Sequence, residues 1–215
     1  MPGPSQPYHH GNLRPVLVDT AVELARSTGP DGVVLREVAR RAGVSHNAAY
    51  RHFADRAALL EEVSDRAYDD LETAMRERIA TVRERDPRAR AVARLRETGR
   101  AYVAFALAEP GLFATAFTSP AGSPPHSATE ELTGPYLVLN TVLDELVDCG
   151  ALSPELRQGA DVGCWAMVHG FAELVGTGPL RQVPAEVREV LLESVLDLVH
   201  RGLLGDLGVI GSLPG

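Results

Sequence analysis

The sequence predicts an all-α protein of about nine helices, with a three-helix N-terminal helix-turn-helix domain followed by a larger helical domain. Three observations carry this. From Asn12 onward, apolar residues recur at every third or fourth position, the spacing of helices that bury one face. No run of six residues alternates apolar with polar side chains, as a half-buried strand would. The apolar runs are punctuated by residues that start or stop helices, among them Gly43, Ser45, Asp55, Asp86-Pro87 and Ser153-Pro154.

The first helix is expected from Leu13 to Ser27, burying Leu13, Val16 or Leu17, Ala21, Leu24 and Ala25, and stopped by Gly29-Pro30. Pro15 lies in its first turn, where a missing N–H costs little. A short second helix, Leu35 to Ala42, buries Leu35, Val38 and Ala39 and ends at Gly43, a C′ glycine. Ser45 caps a third, His46 to His52. Asp55 caps a long fourth helix with Leu59, Leu60, Val63, Ala67, Leu71, Met75, Ile79 and Val82 near every fourth position. Asp86-Pro87 opens a fifth to about Ala108, and Glu109-Pro110-Gly111 separates it from a short helix containing Leu112, Phe113 and Phe117. A loop is expected over 118–127, with Pro120, Gly122, Pro124 and Pro125. Three more helices follow: from about Thr129 to Cys149, from Ser153-Pro154 to near Gly176, and from Pro184 to about Leu204. The domains are therefore placed at 1–55, with a flexible arm over 1–11, and at 56–205, with a frayed tail over 206–215.

Length and composition fit this organisation. The 215 residues, 45% apolar and 23% charged, suffice for real cores and are too apolar for a disordered chain. No apolar run is long enough to cross a membrane and the first eleven residues lack the pattern of a signal peptide, so a cytoplasmic protein without a membrane partner is expected. Cys149 and Cys164 are too few for a disulfide framework and form no CxxC or Cys/His cluster, so both are expected as reduced core residues. The net charge of −8 is unevenly spread: residues 1–60 hold seven arginines, five acids and four histidines, whereas 101–215 hold four arginines and fourteen acids. Only the head is suited to a polyanion. All 21 basic residues are arginine.

The segment from Leu35 to Phe53, LREVARRAGVSHNAAYRHF, holds two short amphipathic helices around a glycine turn. That is what a helix-turn-helix needs: a supporting helix, a tight turn, and a second helix slim enough for the major groove. Ala48 and Ala49 add no bulk, His46, Asn47 and Tyr50 offer polar tips, and Ser45 leaves first-turn amides for a phosphate. Arg40 and Arg41 read as solvated charges.

The pattern A-x-x-A-G-V-S-x-x-x-x-Y-x-H-F, here Ala39 through Phe53, resembles the head of the TetR family of transcriptional regulators, and Asp55-Arg56-x-x-Leu59 resembles that family's entry into helix four. The resemblance implies that Tyr50 and His52 contact phosphate, that Arg56 and Arg36 bind the DNA backbone, and that His46 and Asn47 read bases. Asparagine pairs with the N6/N7 edge of adenine, which makes Asn47 the leading candidate for discrimination. Ala48 or Ala49 against a thymine methyl, and DNA shape, would add to it. The opening Tyr8-His9-His10-Gly11-Asn12 resembles the start of a subset of these regulators and suits an arm lying along a groove. Two adjacent histidines without partners make a poor metal site.

In the body, Trp165-x-x-x-His169-Gly170 resembles the C-terminal domain named for W-H-G in part of the TetR family. Trp165, His169 and Glu173 share one helix face. Two readings stand: a pocket wall with an indole and a hydrogen-bonding imidazole, or close packing with Gly170 admitting a neighbour. Tyr102, Phe105, Phe113, Phe117 and Tyr136 are further candidates for a pocket. The last helix carries one apolar stripe, Val187, Val190, Leu191, Ser194 and Leu198, and a second, Leu192, Val195, Val199 and Leu203. Two stripes ask for two partners, and the resemblance implies a homodimer through this helix and the preceding one.

The expectation is a regulator that binds double-stranded operator DNA, most simply a ligand-responsive repressor on a palindrome, with a small-molecule effector. A non-specific architectural DNA binder is the alternative, and the acidic body weighs against it. No zinc, P-loop, dinucleotide or GxSxG signature occurs, so neither catalysis nor a cofactor nor a metal is expected.

Overall fold

The structure, a computed structural model, describes residues 13–118 and 133–205. The N-terminal arm with its two histidines, most of the Pro/Gly loop and the C-terminal tail lie outside the described residues. Ten helices and no strand occur among the described residues: α1 (Leu13–Gly32), α2 (Leu35–Arg41), α3 (His46–Tyr50), α4 (Arg56–Ile79), α5 (Pro87–Ala108), α6 (Pro110–Ala116), α7 (Gly134–Asp148), α8 (Pro154–Arg157), α9 (Ala160–Gly176) and α10 (Ala185–Leu204). None is long and apolar enough to cross a membrane.

Packing divides the chain into two compact units, and it does so elsewhere than at the 55/56 boundary read from sequence. The first holds residues 13–68 with 109–118, and the second 69–108 with 133–205. Helix α4 contributes its first half to one and its second half to the other.

In the first unit α1 packs on α2 and α6. Its buried face uses Leu17, not Val16, together with Val18, Ala21, Val22, Leu24 and Ala25. Gly29, at φ 68°, interrupts the helix and Pro30 begins a separate turn, so the expected stop holds within two residues of Ser27. Leu17, Leu24, Val38, Ala49, Phe53, Leu59 and Leu112 are almost fully buried. Arg14 stacks over the Phe53 ring at 4.5 Å, donates to the His52 carbonyl at 2.7 Å and pairs with Glu62 at 2.5 Å. Helix α6 accepts a 2.9 Å hydrogen bond at the Ala116 carbonyl from the buried Ser64 hydroxyl of α4.

In the second unit α5 packs on α7, α9 and α10, and α9 packs on α10. The single helix expected from Ser153-Pro154 to Gly176 is in fact two. Ser153 caps α8 through Leu156 N–H, then Gly159, in the left-handed region at φ 78°, breaks the path before α9. Val82 falls after the end of α4. Of the two cysteines, Cys164 is buried, where desolvation pushes its thiol up to about 12, and Cys149 is half-buried.

An ionic ladder fastens α10 to α5. Arg100 pairs with Glu97 at 2.6 Å and donates to Glu193 at 2.7 Å; Arg96 bridges Glu193 and Asp197 at 2.6 Å each; Arg78 of α4 pairs with Glu97. Burial pushes the Glu97 and Glu193 carboxyls upward, but the arginine hydrogen bonds outweigh it and hold both below the usual range.

Candidate nucleic-acid interface and aromatic cluster

The turn between α2 and α3 is fixed by local chemistry. Val44 N–H bonds the Ala39 carbonyl at 3.0 Å and Gly43 N–H the Arg40 carbonyl at 3.3 Å, the paired closure of a helix end around a left-handed residue. Gly43 takes that conformation at φ 69°; a Cβ there would meet nothing within 4 Å, so backbone angle alone selects glycine. Ser45 then caps α3, its hydroxyl accepting from Ala48 N–H at 3.2 Å.

Helix α3 buries one side and exposes the other. Ala49 is fully buried and Phe53 nearly so, while His46, Asn47 and Tyr50 are exposed and Ala48 and His52 half-buried. The His46 and Tyr50 rings meet edge to face at 4.5 Å. Ala49 is corrected here: it packs inside the chain and has no surface for a thymine methyl, which leaves Ala48 for that contact. Arg36 on α2 is exposed. Arg40 and Arg41 both bond Glu37, and these hydrogen bonds bring its carboxyl down to about 2. Arg56, whose side chain stays 44% exposed, reaches back to the end of α1: Nε donates to the Val33 carbonyl at 2.8 Å and Nη2 to the Pro30 carbonyl at 2.6 Å.

Of the candidate pocket residues, the structure gathers Tyr102, Tyr136, Trp165 and His169 in the second unit. Trp165 Nε1 donates to the Tyr102 hydroxyl at 2.9 Å, and that hydroxyl lies 2.8 Å from His169 Nδ1. Indole N–H only donates, so the Tyr102 hydroxyl accepts from Trp165, and the imidazole tautomer sets which partner donates between that hydroxyl and His169 Nδ1. Burial lowers the His169 pKa, with Glu173 opposing, which favours the neutral imidazole. Tyr136 packs against Trp165 at 5.9 Å and donates to Asp161 at 2.6 Å. Burial, then the Asp161 hydrogen bond, holds the Tyr136 hydroxyl above its ordinary range. Phe105 is buried on α5. Phe113 and Phe117 belong to the first unit, their rings 5.2 Å apart and Phe117 6.3 Å from Tyr68.

Two clefts in the second unit lie apart from this cluster. One, of about 590 Å³, is lined by Arg88, Arg90, Arg94, Glu145 and Cys149 among others. The other, of about 340 Å³, is an apolar groove including Leu156, Gly163, Met167, Leu198 and Gly202. Among the described residues no group of three or more His, Cys, Asp or Glu could hold a metal ion.

Sequence reasoning missed Asp161 as the Tyr136 partner and the ladder through Glu193, neither of which has a signal in the spacing of the chain.

A slim, capped helix with a polar outer face, held by a glycine turn on a supporting helix, defines the class of helix-turn-helix DNA-binding proteins. Residues 17–63 match the family model for bacterial regulatory proteins of the tetR family, and residues 95–199 match the tetracyclin repressor-like C-terminal domain. The chain belongs to the TetR family of transcriptional regulators. Among solved structures it is similar to a protein of unknown function from Rhodococcus sp. RHA1, at 30% identity and TM-score 0.69 over 93% of this chain and all of that one. PfmR, a TetR family transcriptional regulator from Thermus thermophilus, is 19% identical at TM-score 0.56 over 87% of this chain and 98% of its own. A variant of TetR from Acinetobacter baumannii AYE in complex with minocycline is 17% identical at TM-score 0.60, over 86% and 93%. These last two show the shared fold. No curated protein matches the chain.

Proposed function

We propose that this regulator is a ligand-responsive repressor that binds a palindromic operator as a homodimer. The observation that carries the reading is the division of α3: Ala49 and Phe53 sit in the core while His46, Asn47 and Tyr50 face outward. Asn47 reads bases, joined by His46 and Ala48, while Tyr50, His52, Ser45 and Arg36 serve the backbone. A recognition helix of five residues reads too little alone; two copies related by a two-fold axis read half-sites about one helical turn or more apart.

The dimer reading rests on α9 and α10. Val162, Met167 and Leu174 on α9, and Val187, Val190 and Leu198 on α10, are exposed in the single chain, Val190 at 65%. A Cβ at Gly163, Gly170 or Gly202 would meet nothing within 4 Å. Apolar side chains and open glycines together suit close approach of another helix. Gly170 therefore serves the face toward a second copy and not packing within its own chain.

Ligand response is assigned to the second unit, with Tyr102, Tyr136, Trp165 and His169 as the wall that senses the effector. A ligand acts only through different affinity for two arrangements, and α4, shared by the two units, is the element that transmits the choice. Architectural binding is disfavoured by the acid excess of residues 101–215. Selection of bound fragments from random duplex DNA, repeated with a metabolite panel, tests the whole: a palindromic consensus whose recovery falls with one compound is expected. Recovery without any consensus would support the architectural alternative.

A further inference from the structure

The head has seven arginines among residues 1–60, yet a guanidinium grips phosphate only with N–H groups that are not already committed. Arg14 is spent on the His52 carbonyl, Glu62 and the face of Phe53. Arg26 pairs with Glu23 and Glu109. Arg40 and Arg41 share Glu37, so their use would bring a carboxylate up against the phosphate. Arg56 closes two carbonyls lying 23 and 26 residues back, at Val33 and Pro30, with Asp31 at 4.0 Å. Withdrawing it would strip both oxygens of that donor and loosen the entry of α4 from the end of α1.

Two arginines carry no such commitment. Arg36 and Arg51 are exposed and make no hydrogen bond or ion pair with the described residues. Arg51 closes α3 as its C-cap, at φ −73° and ψ −21°, and stands four positions after Asn47, on the same helical face. A recognition helix puts its first residues against base edges, so its last residue is carried out toward the flanking sugar-phosphate strand. We propose that Arg51, with Arg36, is the cation that holds the DNA backbone, and that Arg56 is a structural clamp. This rests on the DNA-binding reading above and replaces the role that family resemblance gives to Arg56.

The test is a salt titration of the full-length protein, by fluorescence anisotropy, on a 30-base-pair duplex recovered by selection and on a random-sequence duplex of equal length. Removing one cation from a phosphate flattens log K against log salt by about 0.9, so with two copies bound Arg51→Ala should reduce the slope by roughly 2 on both duplexes. Arg51→Lys should restore it, and thermal stability should not move. Arg36→Ala should behave as Arg51→Ala does. Arg56→Gln should lower the melting temperature and leave the slope of the folded protein unchanged. The proposal is overturned if Arg51→Ala leaves the slope intact or weakens only guanine-containing sites, or if Arg56→Gln flattens the slope without loss of stability. If the wild type shows no salt-dependent binding to either duplex, the DNA reading itself fails along with it.

Discussion

Gly111 makes a quantitative demand on the backbone of the first unit. A Cβ on it would lie 2.1 Å from the Ala25 carbonyl oxygen and 2.7 Å from that of Arg26. An ordinary carbon–oxygen approach is about 3.3 Å or more, so Gly111→Ala must move α6 from α1 by about 1 Å. Both obstacles are backbone atoms and cannot rotate aside. Overpacking typically costs about 1–3 kcal/mol, and the upper end applies here; alanine returns up to about 1 kcal/mol through helix propensity. The net loss is about 2 kcal/mol, or roughly 4–8 °C in melting temperature for a chain of this size. The same displacement stretches the Ser64 bond to Ala116 and the packing of Phe117 on Tyr68. Circular dichroism melts of the wild type, Gly111→Ala and the exposed neighbour Ala114→Gly measure this; the last should lose only about 1 kcal/mol of propensity. A Gly111→Ala protein that melts at or above the wild-type temperature would refute the close α1–α6 approach.

On the preferred duplex, Asn47→Ala should weaken binding by roughly 1–3 kcal/mol and less so elsewhere, whereas Tyr50→Ala should weaken all sequences alike; an unchanged ranking of sites in Asn47→Ala would end the base-reader assignment. Val190 is 65% exposed in the single chain, so Val190→Glu should leave its helix content intact, but burying a carboxylate in each copy costs several kcal/mol, so sedimentation at micromolar concentration should find monomer; a persisting dimer would place the interface elsewhere. Burial holds His169 and His200 below their ordinary 6.5. The unfolded chain therefore takes up protons near pH 6.5 while the folded one does not. Their contribution is complete above pH 6.5 and declines as pH falls toward the folded values. Melting temperature should drop between pH 7 and pH 5, and replacing both histidines with glutamine should flatten that drop.

Much of the interface was legible because its causes are local. Gly43 needs only its own backbone angle, Ser45 reaches an amide three residues on, and the spacing of Leu35, Val38 and Ala39 places one face of α2 inside. Arg56 shows where such reading stops. Sequence pattern marks it as a basic residue at the entry to α4, but its partners are carbonyls more than twenty residues away, and no spacing rule reports them. Ala49 was ambiguous for a related reason: a small apolar residue on a short helix fits either the supporting helix or a thymine methyl until burial assigns it.

The chain alone determined its helices, its turn and the sign of charge along its length, since these follow from backbone angles, short-range capping and residue count. Tertiary packing decided the rest. It placed α6 in the first unit through Gly111 and tied α10 to α5 through Glu193. It also chose which arginines have no partner among the described residues. Those outcomes depend on which distant surfaces meet, because a hydrogen bond or a close backbone approach is set by separation in space and not by separation along the chain.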